Sequence, residues 1–539
     1  MERGNLVKDV LKDFKNLIKN RFFLWPVLLA SFLSYSYTIV NPSISLDDTA
    51  IARYVLGGEL IAQGRFGMVL IASLFHFTSF TPYIFDTLAV LFLIVSSILW
   101  CILLKRASND KLHWVTYTVF AITLISYPLI NEIFIYMGMG LFIGVSYFLT
   151  AIALLLFQNY SNKKSILSFV LMALILGFVF STYESFTTVF LSGILILMIL
   201  EKLYSPSVSF KCLVEKLLTA LVLIVLGVIL KYGITALLMK VYGLIPSTRA
   251  DTGIVWFHQN FILVIKEIIM GFGYYFGIAS LYYFPISMFI ISVGVGFILF
   301  IKFSLQKKSF ILLILYVLLL LSLFSLTVLQ GKITPYRASQ VIGIFVGFMM
   351  MIFTQFILTQ VHKKWIKNLA LGSISFLMLF QIIDINRGFI VDKLRYDEES
   401  AVMISVCEYV EDKYGLSKPI IFTGRYELSD NIKQYIYLKK DSFGGYLYSL
   451  YKKNPSSDGS SKYLIKFTQT NGLSFINYGI HAFGEVNTEL LNYAKYLGYD
   501  LIQGTDAMYE EAVEFSKSMP KWPSEGSVIE RDEYILVHF

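Results

Sequence analysis

From residue 22 to residue 385 the chain alternates long apolar runs with short charged turns. A helix needs about 20 apolar residues to cross a bilayer core. Runs at 22–40, 85–104, 114–129, 138–157, 166–180, 186–200, 217–239, 284–303, 311–329, 341–358 and 369–385 predict about eleven crossings. Lys105-Arg106, Lys163-Lys164, Lys307-Lys308 and Lys363-Lys364 close alternate turns. The bias of lysine and arginine toward the cytoplasm makes those turns inner ones, with the N-terminus inside and the C-terminus outside. Residues 1–21 read as a basic amphipathic segment on the cytoplasmic lipid surface.

Two stretches break the pattern of simple spans. Residues 41–84 form the first outer loop, where Ile51, Tyr54, Val55, Leu60 and Ile61 recur at helical spacing and predict an amphipathic interfacial helix. Residues 240–282 form a longer outer segment, with a helix carrying His258, Lys266 and Glu267. From about residue 386 the chain turns polar. Helical periodicity at 398–414 and 485–496, with β-type runs at 419–422, 463–467 and 534–539, predicts a small α/β domain over 386–539 on the outer side. The fold class is therefore a polytopic α-helical membrane protein, its transmembrane domain at 22–385, with a C-terminal α/β extracytoplasmic domain.

Composition agrees with lipid as the main solvent. Of 539 residues, 56% are hydrophobic and 15% charged, more apolar surface than one soluble core hides. The net charge of +8 sits mostly in short inner turns, which sets nucleic acid aside as a partner. Cys101, Cys212 and Cys407 are scattered and imply neither a disulfide framework nor a metal site. The lysine-rich usage, with many Ile, Phe, Tyr and Asn, suits an AT-rich bacterium, which places the protein in a bacterial cell membrane.

The charged residues that remain collect on one side. Asp47, Asp48, Arg53, Glu59 and Arg65 lie in the first outer loop, Tyr183-Glu184 at a later outer turn, Arg249 and Asp251 in the long outer segment, and Arg337 at the last outer turn. Charges at the hydrocarbon boundary are costly unless paired or facing a cavity. Carboxylates beside arginines suit transfer from a lipid phosphate: arginine grips the phosphate in a bidentate fashion and a carboxylate takes the proton of an attacking hydroxyl. Plainer roles compete. Asp47 or Asp48 would cap the interfacial helix, Arg65 and Arg337 would anchor at headgroups, and Arg249 with Asp251 would form a surface ion pair. Gly57-Gly58 and Gly64 with Gly67 lack the strand and lysine of a nucleotide loop.

The pattern Asp47-Asp48 followed by Arg53, then Gly64-Arg65, resembles the first outer loop of the serotype-converting glucosyltransferase II (Gtr type II) family. Tyr183-Glu184 and Tyr336-Arg337 before a span fit the same resemblance. It implies a GT-C-type fold and a polyprenyl-phosphate-linked sugar donor, commonly undecaprenyl-phosphate glucose, with inverting transfer to a cell-surface glycan on the outer face. It makes Asp47 and Asp48 the base candidates, unranked, and Arg53, Arg65 and Arg337 contacts to donor phosphate or acceptor. Tyr183, Glu184 and Arg249 join them as substrate-binding candidates. No cofactor is expected; Mg²⁺ on the two adjacent acids is the alternative. A flippase of lipid-linked saccharide, which would carry charges near mid-membrane on broken helices, and a polysaccharide polymerase are the competing readings.

Overall fold

The computed structural model describes residues 6–49, 58–77, 81–245, 254–256, 258–276, 284–332, 334, 336–439, 463–466, 473–482 and 485–539. Among them, nine helices are long and apolar enough to cross a membrane, and two shorter apolar helices, Ile166–Thr182 and Ile311–Ser322, accompany them. Nine of the eleven apolar runs read from the sequence lie along single helices, most of which extend beyond their runs, whereas those at 114–129 and 311–329 are broken. Polar ends account for the extension: the helix Met139–Lys163 takes in Asn159 to Lys163, which the composition marks as loop.

Local chemistry sets the helix ends. His113 caps Trp114–Ile125 by accepting the Val115 N–H, and Ser209 caps Phe210–Tyr242 by accepting the Cys212 N–H. Pro128 disfavours helical backbone at Tyr127, so the chain leaves the α-helix after Ile125 and resumes as the short turns Pro128–Ile130 and Asn131–Phe134. The apolar run at 311–329 is also interrupted, into Ile311–Ser322 and Ser325–Gln330. Lys364–Tyr414 is one helix of 51 residues. Polarity changes near residue 386, but no proline interrupts the backbone there and the helix runs on.

The described residues fall into two compact units. The first draws on Met1–Val40, Tyr54–Phe134 and Gly138–Asn386. Its helices pack through small residues, as membrane helices do. A Cβ on Gly144 would lie 3.0 Å from the Ala89 carbonyl oxygen, so Pro82–Ala107 and Met139–Lys163 need glycine where they touch. At the N-terminus, Asp13 of the helix Leu6–Lys19 pairs with Lys105 at 2.8 Å.

The second unit draws on Asn41–Arg53, Ile135–Met137 and Arg387–Phe539. Its sheet has Ile535–His538 in the centre, parallel to Ile420–Thr423 and antiparallel to Val528–Glu530. Ile421, Leu536, Tyr534 and Ala512 of the helix Asp506–Ser516 form a core on it. A separate antiparallel pair joins Tyr437–Lys439 to Tyr463–Lys466. The segment carrying Asp47 and Asp48 thus groups with the C-terminal residues and not with the helices that flank it in sequence.

Candidate active site

In the first unit, four turns bring polar side chains together. Gly64, at φ 76°, turns the chain ahead of Arg65, and the helix Phe66–Leu74 then packs on the end of Ile166–Thr182. That packing needs Gly67, where a Cβ would sit 2.5 Å from Thr182 Oγ1 and 2.9 Å from the Phe178 carbonyl oxygen. It places the Arg65 guanidinium 5.8 Å from the centroid of the Tyr183 ring. Tyr183 and Glu184 occupy the turn between Ile166–Thr182 and Phe186–Tyr204.

Glu184 pairs with Lys231, whose side chain is 3% exposed against 44% for Glu184. Burial alone would raise the Glu184 carboxyl, but the Lys231 ammonium beside it, helped by Arg65 and Gln330, holds it below its ordinary value. On the other side of the cluster, the Arg337 guanidinium lies 3.5 Å from the fully buried carboxylate of Glu132 and near the Tyr183 side chain. Gln340 ties the turns together: it accepts from the Ser185 hydroxyl, donates to the Arg337 carbonyl, and its own carbonyl accepts from Tyr147 at 2.8 Å.

Two cavities adjoin this cluster. One, of about 520 Å³, is lined by Arg65, Lys231, Lys332, Glu184, Gln63 and Gln330 among others. With three cations to one carboxylate, it is a receptive site for an anion such as phosphate. A second, of about 510 Å³, is lined almost wholly by aliphatic side chains, among them Leu195, Leu221, Val225 and Leu321. Thr187 and Leu329 line both, so the charged cavity and the apolar one are neighbours.

In the second unit the two adjacent aspartates part company. Asp48 is 1% exposed. Its Oδ2 accepts the Ser45 N–H at 2.7 Å, while the Asp48 N–H reaches the Ser45 carbonyl at 3.1 Å. This is the backward half of a capping box. Its Oδ1 accepts the Met137 N–H at 2.8 Å. Burial, reinforced by Asp392 and Asp47, pushes its carboxyl above the ordinary range despite those two N–H bonds. Asp47 is only half-buried, and its Oδ1 accepts the Tyr478 hydroxyl at 2.5 Å.

Of the residues singled out from sequence, Arg65, Tyr183, Glu184 and Arg337 meet in the first unit, and Asp47 and Asp48 lie in the second. Arg53, Arg249 and Asp251 lie outside the described residues. Sequence reading missed Lys231, Glu132, Gln340 and Tyr478. Lys231 carried a signal, as a single cation deep in the apolar helix Phe210–Tyr242, and so did Glu132, an acid between two apolar runs. Gln340 and Tyr478 are ordinary in their local sequence. Among the described residues, no group of three or more His, Cys, Asp and Glu is placed to hold a metal ion.

Helices long and apolar enough to span, with a cationic cavity beside an aliphatic one, define a multi-pass membrane protein. Residues 36–385 match the family model described as Glucosyl transferase GtrII, and the chain belongs to that family. It is a membrane glycosyltransferase acting in glycan modification. Among curated proteins, none matches the chain. Residues 386–539 lie beyond the family match.

Proposed function

We propose that this glycosyltransferase takes its sugar, glucose, from a polyprenyl-phosphate-linked donor and passes it to a cell-surface glycan outside the bacterial cell membrane. The observation that carries this reading is the adjacency of the two cavities, which share Thr187 and Leu329 in their walls. A donor with a phosphate joined to a long hydrocarbon chain fits a cationic chamber set beside an aliphatic one. A nucleotide sugar would have no use for the second.

In this reading Arg65, Lys231 and Lys332 bind the donor phosphate. Arg337, set against Tyr183, contacts the sugar or its phosphate, and Arg53 and Arg249 remain candidates for the same work. The acceptor hydroxyl oxygen attacks the anomeric carbon, the bond from that carbon to the phosphate oxygen breaks, and polyprenyl phosphate leaves with the electron pair. The hydroxyl proton goes to Asp47, and the anomeric configuration inverts. Asp47 is preferred to Asp48 as the base because it is half-buried, whereas Asp48 is enclosed with both oxygens already accepting backbone N–H groups.

The test is transfer by the purified protein from radiolabelled undecaprenyl-phosphate glucose to a crude cell-surface glycan, with UDP-glucose as the comparison donor. Transfer from the lipid donor alone, weakened by Lys231→Met through a raised KM, is the expected result. Transfer from UDP-glucose in the absence of lipid donor would overturn the reading. Accumulation of lipid-linked sugar across a vesicle membrane without any transfer would favour the flippase.

A further inference from the structure

The C-terminal residues lie beyond the family match, yet Asp47 is hydrogen-bonded to one of them. We infer that Tyr478 is a positioning residue for Asp47, its hydroxyl fixing one carboxylate oxygen so that the other is presented to the acceptor hydroxyl. This rests on the reading of Asp47 as the base.

Both partners are held from a single buried ion cluster on the helix Lys364–Tyr414. Arg395, 1% exposed in its side chain, bonds Asp392 and Glu399 at 3.1 Å each. Toward Asp47, the Arg395 guanidinium donates to the Ile44 carbonyl at 2.6 Å, and Asp392 accepts from the Ser43 hydroxyl. Just past it, Thr49 donates to Glu489 at 2.5 Å. The segment from Ser43 to Thr49 is therefore pinned on both sides of the aspartate.

Toward Tyr478, the Glu399 carboxylate accepts the Ser474 hydroxyl at 2.6 Å and the N–H groups of Phe475 and Ile476 at 2.9 and 3.2 Å. Those donors open the short helix Phe475–Gly479, and Ser474 caps it by accepting the Asn477 N–H at 3.1 Å. The Asn477 side chain in turn bonds the backbone of Tyr426 at 2.8 Å in both directions. Two segments more than four hundred residues apart are thus registered against one guanidinium. A carboxylate whose orientation is fixed before substrate arrives reacts from a productive geometry without first being ordered.

The experiment compares native protein, Tyr478→Phe, Asp47→Asn and the double variant in transfer from radiolabelled undecaprenyl-phosphate glucose, with thermal unfolding of each as a fold control. Tyr478→Phe is expected to lower kcat by between about ten- and a hundredfold with the donor KM unchanged, and to add no further loss in the Asp47→Asn background. Ser474→Ala, which loosens the helix without touching either group, is expected to show a smaller loss of the same kind. Native kcat in Tyr478→Phe would overturn the inference, as would a raised KM alone or an equal loss with and without Asp47. Full transfer by Asp47→Asn would overturn the reading of the base itself, and the positioning role with it.

Discussion

Asp47 and Asp48 are neighbours with the same functional group, and burial separates them. Asp47→Asn keeps an oxygen to accept the Tyr478 hydroxyl and removes only the proton acceptor. It is expected to lower kcat by about 10² to 10⁴ while leaving thermal unfolding in place. Asp48→Asn offers one oxygen to the two N–H groups of Ser45 and Met137, so one is left unpaired in a buried site, a loss of about 1–3 kcal/mol that unfolding of the purified variant reads directly. Glu184 gives a second contrast, in pH. Its carboxyl is held below 4.5, so its contribution is fully present above that value and is lost only as pH falls through the lowered one. The difference in unfolding temperature between native protein and Glu184→Gln is expected to be constant above pH 4.5 and to shrink below it. At 44% exposure the effect is at most about 1 kcal/mol. Local sequence announces the existence of such charges, because an acid or arginine beside an apolar run is conspicuous. It does not announce partners such as Gln340 and Tyr478, which are defined by distant chain.

Helix placement was legible because lipid imposes one length and one polarity on every span, and the apolar runs record both. The details that shape the site were not, since they depend on which surfaces touch. Gly67 is an example: its role is read only from Thr182 Oγ1 and the Phe178 carbonyl lying where a side chain would go. Gly67→Ala is expected to push the helix Phe66–Leu74 off Ile166–Thr182 and carry Arg65 away from Tyr183. Donor KM should rise about tenfold or more, with overall helicity by circular dichroism unchanged. The apolar cavity is likewise a product of four helices, and filling it separates hydrocarbon recognition from phosphate recognition. Leu221→Trp is expected to abolish the advantage of undecaprenyl-phosphate glucose over a short-chain analogue, leaving transfer from the short analogue close to native. An equal fall for both donors would place the hydrocarbon elsewhere.

Residues from Arg387 onward group with Asn41–Arg53 and Ile135–Met137, two segments that no linear reading separates from the spans. Arg395 is the clearest expression of this grouping. A buried ion triad is often replaceable by apolar side chains of similar volume at no loss. Here it is not expected to be, because the carboxylates have other duties: Glu399 holds the backbone N–H groups of Phe475 and Ile476, and Asp392 holds Ser43. Arg395→Met strands two buried carboxylates and should lower stability by about 3–5 kcal/mol. Arg395→Met combined with Asp392→Leu and Glu399→Leu removes the stranded charge but orphans the donors, about 1–3 kcal/mol for each buried group left unpaired. Both variants should therefore unfold at lower temperature than native protein and lose transfer, although every residue within the family match is intact. Native stability in the triple variant would reduce the cluster to an exchangeable ion pair and leave the register of the 43–49 segment to be explained by packing alone.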